Sequence, residues 1–150
     1  MNKITIYWAA SCFTQAERIW NRLCARYLRK KGHLVILPQD EAKLFPDDPE
    51  KMAINCYTQS ISSDIVVAIL DGPDPDSGMS MEVGFKIRDR EFRNRGRVLG
   101  VRTDFRVSED EHLNLMFRLV DQRIYFPSFN ESYEKLCDKI DEAIKGILDI

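Results

Sequence analysis

The chain of 150 residues carries 22 lysine and arginine residues against 24 aspartate and glutamate residues, and the net charge of -2 disfavours nucleic acid as a partner. With 44% hydrophobic residues the chain can bury one core, so we expect a single domain over residues 1–150. The opening Met-Asn-Lys runs into a strand without an apolar stretch long enough for a signal peptide or membrane span, which favours a cytoplasmic protein without a membrane partner.

The first part of the chain predicts a strand, a helix and a second strand. Residues 3–8 alternate with the period of two that a pleated strand requires. The capping-box sequence Thr14-Gln-Ala-Glu17 predicts the start of an amphipathic helix that ends near Gly32. A short strand is expected at 33–37, and the polar run 39–48 is expected to form a long loop.

The middle of the chain predicts a helix, a buried strand and an irregular loop. Pro49 suits the first turn of a helix that runs to about Ser62. The unbroken apolar segment 64–70 is typical of a central strand covered on both faces. The stretch 71–78 is too rich in proline and glycine to be regular, and it leads into a helix over about 79–90.

The remaining elements complete an alternating pattern. We expect a strand at 98–101, an amphipathic helix around 112–120, a short strand at 124–126 and a closing helix whose apolar stripe begins at Tyr133. Alternation without hairpin signals implies right-handed crossovers. The predicted fold is therefore α/β, with a parallel sheet of about five strands covered by helices on both faces.

Two loops at the carboxyl ends of predicted strands are candidates for a ligand site. Ligands of open parallel sheets bind where connections diverge to opposite faces, which here favours 7–13 and 71–78. The second loop carries three aspartates within six residues and is followed, about one turn into the next helix, by Glu82. The aspartates are Asp71, Asp74 and Asp76.

Clustered carboxylates repel one another and need a partner, either a cation or a sugar and base. Pro73 and Pro75 stiffen the loop, and the segment does not match a calcium-binding loop, which disfavours a metal. The plain alternative is that the aspartates cap the helix and solvate a turn. A carboxylate in the first helical turn is favoured in its ionised form, so Glu82 can act as a nucleophile while Asp76 handles the leaving group's proton.

The segment Leu70-Asp-Gly-Pro-Asp-Pro-Asp-Ser-Gly-Met-Ser-Met-Glu-Val-Gly84 resembles the signature of the nucleoside 2-deoxyribosyltransferases, in which Asp-Ser-Gly precedes a Glu-hydrophobic-Gly step. Segments 6–18, 100–106 and 114–116 resemble further landmarks of that family in the same order. The likeness spans most of the chain. One departure is Ala10-Ser-Cys12, where many members have Gly-Pro.

This resemblance implies a flavodoxin-like three-layer fold, a homo-oligomer built from dimers, and no cofactor. It implies that Glu82 forms a covalent bond to 2-deoxyribose and that the phenol of Tyr7 orients this carboxylate. It also implies that Asp76 contacts the base and helps to protonate it, with the ring of Phe13 flanking the base.

Further substrate-binding residues follow from the same resemblance. Asn114 matches an amide that reaches the sugar 5′-hydroxyl from a neighbouring subunit, and Met116 lines the same wall. Asn55 is the candidate for the polar side chain that members place on the helix before the central strand. Asp71 and Gln39 are further candidates for binding the substrate, and the loops around Phe13, Gln39 and Asn55 decide the preference for purine or pyrimidine.

Each of these residues has a plainer alternative. Tyr7 could be a sheet residue facing solvent, Asp76 a helix cap, and Phe13 a hydrophobic staple beside the capping box. Asn114 could be a solvated amide. The segment 102–106 is expected to form a structural charge network.

Several other features are expected to be uninvolved in chemistry. The basic run 86–97 lacks interleaved aromatic residues and is interrupted by acids, so a solvated face or subunit contact is favoured over nucleic acid. The four cysteines lack Cys-x-x-Cys spacing and are expected to be reduced. His33 and His112 lack companions for a metal site, so no metal is expected.

We therefore expect an enzyme of nucleoside salvage that accepts 2′-deoxynucleosides and free nucleobases and moves 2-deoxyribose between bases by a retaining, ping-pong reaction. The enzyme alternative is an N-glycosidase acting on a nucleoside or its 5′-monophosphate. The alternative from another class is a non-catalytic flavodoxin-like module that binds a small ligand.

Overall fold

A computed structural model describes residues 3–106 and 113–150 of the chain. Its strands are β1 (Thr5–Ala9), β2 (Leu34–Ile36), β3 (Ile65–Ile69), β4 (Arg97–Arg102) and β5 (Gln122–Tyr125). Its α-helices are α1 (Gln15–Lys30), α2 (Pro38–Glu41), α3 (Pro49–Ser62), α4 (Ser77–Arg93) and α5 (Tyr133–Leu148). Short 3-10 helices cover Ala42–Leu44 and Leu115–Leu119.

The five strands form one parallel sheet in the order β2-β1-β3-β4-β5, which is the flavodoxin-like order. Buried side chains of α1 and α5 pack on one face, and those of α4 pack on the other, where α3 contacts α4. The predicted three-layer α/β fold is confirmed. Because α1 follows β1 on one face and α4 follows β3 on the other, a crevice opens at the carboxyl ends of these two neighbouring strands.

The helix that leaves β1 begins at the predicted capping box. The Thr14 amide donates to Glu17 Oε2 (2.7 Å), and the Glu17 amide donates to Thr14 Oγ1 (3.2 Å). Behind this cap, Cys24, Ala25 and Leu28 are fully buried against the sheet. The apolar stripe of α1 thus packs as its periodicity predicts.

Two predicted elements are wrong. The run 39–48 was expected to be a loop, but α2 and a 3-10 helix occupy its first part, because Pro38 takes a favourable first-turn position and Gln39 bonds to α1. The helix expected around 112–120 is a 3-10 helix at Leu115–Leu119 in the described part of the chain. His112 lies outside the described residues.

The basic run 86–97 is not uniformly solvated, because Lys86 is fully buried. Its Nζ donates to the carbonyl oxygens of Ile61 (2.8 Å) and Ser63, so this side chain on α4 caps the end of α3. Burial lowers the pKa of Lys86 to about 8. Gly96 makes room for it, since a Cβ there would lie 2.2 Å from the Lys86 side chain.

A buried polar contact joins the residue before β2 to α5. His33 Nε2 lies 2.8 Å from Asp141 Oδ1, and Lys145 Nζ lies 2.8 Å from Asp141 Oδ2. Both His33 and Asp141 are buried. His33, which was expected to take no part in the chemistry, is therefore part of the structural core. It precedes β2 at the opposite end of the strand from the carboxyl ends that border the crevice.

Replacing Asp141 by Asn is expected to lower the free energy of unfolding by about 3 kcal/mol, because it removes a buried carboxylate that bonds to His33 and pairs with Lys145. Burial opposes ionisation of Asp141, but hydrogen bonds from Lys145 and His33 dominate and lower its pKa. The contribution of the Asp141 carboxylate to the free energy of unfolding is therefore present above about pH 4 and is lost as the pH falls further. Urea unfolding of wild type and variant at several pH values measures this difference.

The matched control is Asp138→Asn, because the ion pair of Asp138 with Lys31 is solvent-exposed. This variant is expected to unfold at nearly the same urea concentration as wild type, because solvent screens an exposed ion pair. Equal losses for both aspartates, or a difference that persists in acid, would contradict the account of Asp141.

No helix in the described ranges is long and apolar enough to cross a membrane.

Candidate active site

A short hydrogen bond between two distant parts of the chain marks the site. Tyr7 Oη donates to Glu82 Oε1 over 2.6 Å, joining the middle of β1 to α4. The tyrosine lies on the sheet face that α4 covers, in a cluster with Val66, Met79 and Val83, and it is fully buried. The alternative that Tyr7 faces solvent is therefore wrong.

Glu82 lies deeper along its helix than expected. It is the sixth residue of α4 and belongs to the second turn, so the expectation of a first-turn carboxylate held in its ionised form by the helix end is wrong. Burial raises the pKa of Glu82 to about 7, the hydrogen bond from Tyr7 lowers it, and the charge of Asp76 raises it. The carboxyl thus titrates near neutral pH.

The phenol of Tyr7 is held in its protonated form. Burial and the adjacent Glu82 carboxylate both raise its pKa above the usual value. Tyr7 therefore serves as a hydrogen-bond donor to Glu82 and fixes the direction of one carboxylate oxygen, while no residue of the described ranges 3–106 and 113–150 bonds to the other.

Asp76 caps a helix and also lies beside Glu82. Its Oδ2 accepts a hydrogen bond from the Met79 amide (2.8 Å) and caps α4, as the plainer alternative expects. It also lies close enough to Glu82 to affect its pKa. In addition, Asp76 lines a cavity of about 670 Å³ at the ends of β1, β3 and β4, together with Ser11 and Trp20.

Two cysteines border the site, and neither was predicted there. Burial raises the pKa of Cys12, and the carboxylates of Asp76 and Glu82 add to this effect. Burial also raises the pKa of Cys56, whose thiol interacts with the Tyr7 hydroxyl. Spacing rules for metal or redox cysteines do not detect such positions, because here the tertiary fold brings the thiols to the carboxylate.

Three predicted substrate-binding residues use their polar groups within the protein. Asp71 accepts hydrogen bonds from the amide (2.6 Å) and hydroxyl (2.5 Å) of Thr103 and from the amide of Asp104 (2.9 Å). Gln39 Nε2 donates to the Arg18 carbonyl oxygen (2.9 Å). Asn55 donates to Glu41. Their contact with substrate stays a prediction.

The side chain of Asn55 points toward α2. Its Nδ2 donates to Glu41 Oε2 (3.1 Å), whereas the next residue of α3, Cys56, is the one beside Tyr7. Successive residues of a helix point in directions about 100° apart, so a shift of one position changes which side chain enters the site.

Asn114 and Met116 lie elsewhere on the surface. Asn114 Oδ1 accepts the Met116 amide (3.0 Å), and both residues are exposed in a groove between α4 and the 3-10 helix, where Met81 also lies. The ring of Phe13 is 75% exposed, so it is free to contact a ligand and does not pack as a buried staple.

The segment 102–106 braces the loop after β3, as expected of a structural network. Arg102 donates to the carbonyl oxygens of Leu70 (2.5 Å) and Gly72 (3.1 Å). Asp104 accepts the Gly72 amide (3.1 Å) and pairs with Arg106, which lowers the pKa of Asp104. Within the described ranges no group of three His, Cys, Asp or Glu side chains could hold a metal ion.

Solved structures from other organisms share this fold. A conserved protein from Enterococcus faecalis V583 superposes with a TM-score of 0.73 at 24% identity, over 95% of this chain and 99% of that one. A CMP N-glycosidase from Clostridium botulinum gives 0.62 at 17%, over 93% and 98%. A 2-deoxyribosyltransferase from Bacillus psychrosaccharolyticus gives 0.64 at 20%, over 88% and 95%. At these identities the likenesses establish the fold alone.

A family assignment comes from the sequence itself. Comparison with curated proteins finds no significant match. The family model described as nucleoside 2-deoxyribosyltransferase matches residues 6–116, a range that contains Tyr7, Asp76, Glu82 and Asn114. The chain belongs to the nucleoside 2-deoxyribosyltransferase family.

Proposed function

We propose that this protein transfers 2-deoxyribose between nucleobases through a covalent intermediate on Glu82. The observation that carries the proposal is the 2.6 Å hydrogen bond from Tyr7 to Glu82 in a half-buried site beside Asp76. Family membership supplies the substrate class, nucleosides. An oriented carboxylate beside a second carboxyl is the arrangement that retaining glycosyl transfer requires.

The reaction has two steps. First, the free oxygen of Glu82 attacks the anomeric carbon of a 2′-deoxynucleoside, the glycosidic C–N bond breaks, and its electron pair leaves with the base, which gains a proton through Asp76. Second, a ring nitrogen of another base attacks the same carbon, its proton returns through Asp76, and Glu82 is released. Two inversions give net retention.

The geometry suits these roles. Tyr7 holds one oxygen of Glu82, so the other is presented to the substrate. The Met79 amide engages only Oδ2 of Asp76, which leaves Oδ1 to contact the base. The proposed reaction needs no metal ion. In each step a nucleophile, first the Glu82 carboxylate and then a nitrogen of the second base, displaces a leaving group from the same anomeric carbon.

Base exchange tests the proposal. Deoxyinosine mixed with free adenine is expected to give deoxyadenosine and hypoxanthine in the presence of the folded protein, and a panel of donors and acceptors will define the base preference. Release of base without exchange would assign hydrolysis instead. Running the panel with deoxynucleosides and their 5′-monophosphates, with and without acceptor, separates a transferase from an N-glycosidase.

The pH dependence tests the roles of Glu82 and Tyr7. Because attack needs the ionised carboxylate and the pKa of Glu82 is about 7, kcat/KM for donor cleavage is expected to rise with pH and level off above about 7. Tyr7→Phe removes a hydrogen bond that lowers this pKa, so its acid limb is expected at higher pH. Initial rates from about pH 5 to pH 9 locate the acid limb of wild type and that of Tyr7→Phe.

The control is Tyr125→Phe, which alters an exposed tyrosine on β5. It is expected to keep the wild-type profile. A wild-type limb below about pH 5, where an ordinary glutamate titrates, or a limb that Tyr7→Phe moves toward acid, would contradict these roles.

We also propose that a second copy of the chain completes the site, with Asn114 contributed across the subunit contact. In support, the groove beside Asn114 has large apolar side chains that are well exposed: Met81 62%, Met116 66% and Leu119 47%. Such patches are typical of subunit interfaces. No residue of this groove bonds to Glu82 within the described part of the chain, so Asn114 is assigned to a neighbour's sugar.

Met81→Glu is expected to give a folded monomer whose transfer activity falls at least about tenfold, because a charge in the apolar groove opposes association. Sedimentation and base exchange measured on the same samples test this. The control is Ile150→Glu, which places the same charge at an apolar residue that is 60% exposed after α5 and is expected to leave assembly and transfer unchanged. A fully active monomer would contradict the shared site.

A further inference from the structure

The loop between β1 and α1 is held by side chains of the helix that follows it. Asn21 Nδ2 donates to the Ser11 carbonyl oxygen (3.0 Å). Arg18 Nη1 donates to the carbonyl oxygens of Cys12 (3.0 Å) and Phe13 (2.7 Å). Three successive carbonyl groups are therefore bound from one face of α1, where residues three apart are neighbours.

Asn21 links this loop to two other elements. It is 3% exposed, and its Oδ1 accepts a hydrogen bond from Trp8 Nε1 (3.0 Å). Its Nδ2 also donates to Gln39 Oε1 (3.1 Å), and Gln39 Nε2 donates in turn to the Arg18 carbonyl oxygen (2.9 Å). β1, the loop and α2 thus share one buried amide with no spare donor.

Apart from the capping box that fixes Thr14 at its end, the loop has no residue type that restricts its backbone strongly. Residues 9–14 contain neither proline, which would preset a backbone angle, nor glycine, which would permit unusual ones. The side-chain hydrogen bonds from α1 are therefore what selects the loop conformation among those open to ordinary residues. Buried polar networks of this kind specify one arrangement when every member is satisfied.

The same loop borders the chemistry. Ser11 lines the cavity that Asp76 also lines, and Cys12 is close enough to Asp76 and Glu82 for their charges to raise its pKa. The exposed ring of Phe13 is attached to the last of the three bound carbonyl groups. The conformation of this loop therefore determines the shape of the surface that a base would contact beside Asp76.

We infer that Arg18 and Asn21 are positioning residues that set base binding by fixing the Ser11–Phe13 loop. They act through the loop and do not touch the reacting atoms. The inference rests on the proposed function, in which the cavity beside Asp76 receives the base. Its consequence is that loss of either side chain weakens binding of the donor nucleoside and of the acceptor base more than it slows the chemical step.

The main test compares Arg18→Met with Arg22→Met in the base-exchange assay. Methionine retains the stem of arginine but cannot donate, and Arg22 lies one turn further along α1 outside this network. Arg18→Met is expected to raise KM for donor and acceptor about tenfold, the effect of one or two lost hydrogen bonds, with kcat within about threefold. Arg22→Met is expected to match wild type. A fall in kcat at unchanged KM would overturn the positioning role.

A second readout does not depend on activity. Cys12 sits inside the loop and is half-buried, so release of the loop is expected to raise its rate of alkylation by iodoacetamide at least about threefold, followed by peptide mass mapping. Cys24 and Cys137, which are buried in the core, serve as internal controls for global unfolding. Asn21→Ser is expected to act in the same direction.

The two readouts separate the possible failures. Because the charge of Arg18 lowers the pKa of Cys12, its loss alone slows alkylation, and Asn21→Ser, which keeps that charge, is the decisive variant. Unchanged labelling of Cys12 in Asn21→Ser would overturn the inference whatever the activity. If wild type labels as expected and the variants label faster, but no protein exchanges bases, the proposed function fails while the control of the loop by Arg18 and Asn21 stands.

Discussion

Glu82→Gln is expected to abolish transfer of 2-deoxyribose, with a loss of at least about four orders of magnitude in kcat, comparable to removal of other covalent nucleophiles. The amide has the size of the acid and can still accept the hydrogen bond from Tyr7. It cannot form the ester bond to the anomeric carbon, so both half-reactions stop. Chromatographic analysis of base exchange measures the loss.

The control is Glu142→Gln, which changes an exposed glutamate on α5, away from the site and the groove, and is expected to retain full activity. Residual exchange above about one per cent by the Glu82 variant, a barrier increase of less than 3 kcal/mol, would contradict a covalent role.

Stability distinguishes this loss from unfolding. The folded-state pKa of Glu82, about 7, is above the usual value of 4.5, so folding favours the protonated carboxyl. The stabilising contribution of this group is complete below about pH 4.5 and is lost as the pH rises through about 7. Because Gln resembles the protonated acid at every pH, Glu82→Gln is expected to melt no lower than wild type at neutral pH, and at a higher temperature above pH 7.

Asp76→Asn is expected to lower kcat by about two to three orders of magnitude, the usual effect of removing a general acid. Asn can still accept the Met79 amide and is as good a helix cap as Asp, so the start of α4 is expected to remain intact. What is lost is the proton for the departing base. Donors whose bases leave readily without protonation should therefore lose less activity than ordinary donors.

Asp48→Asn provides a matched control, since Asp48 caps α3 in the same way by accepting the Lys51 amide (2.9 Å). This variant is expected to be fully active. A loss for Asp76→Asn that is the same for every leaving group would contradict a role in proton transfer, because a purely structural defect does not depend on the leaving base.

The fold was predictable because its signals are local and repeated. The unbroken apolar segment at 64–70 marks a strand buried on both faces, and the capping box at 14–17 marks the start of α1. Alternation of such elements leaves few topologies. The prediction failed at the run 39–48, where the polar composition indicated a loop. The helix α2 forms there, and its packing depends on the hydrogen bond between Gln39 and Asn21.

The site was predictable in part. The pairing of Tyr7 with Glu82 joins residues 75 positions apart, and it followed from the resemblance, since no local pattern couples them. The placement of Glu82 in the second turn depends on α4 beginning at Ser77, and helix boundaries are uncertain by a residue or more from sequence. Cys56 borders Tyr7 although no local pattern indicates it, and the contact of Asn55 with substrate stays a prediction.

Buried polar groups were the least predictable features. Lys86 lies in a basic run that suggests an exposed surface, and only the packing of α4 on α3 reveals that its ammonium caps carbonyl groups. Asn21 lies among arginines on an amphipathic helix, and its role depends on Trp8, Ser11 and Gln39 meeting around it. Such partners are set by tertiary structure.

The most direct test of the central claim is to trap the glycosyl-enzyme. The protein is mixed with a 2′-deoxynucleoside without acceptor base, quenched in acid and digested, and its peptides are weighed. We expect one added deoxyribosyl group on the peptide that contains Glu82, absent from Glu82→Gln and removed when acceptor base is added before the quench. Steady release of base with no adduct, or an adduct on another residue, would contradict the mechanism.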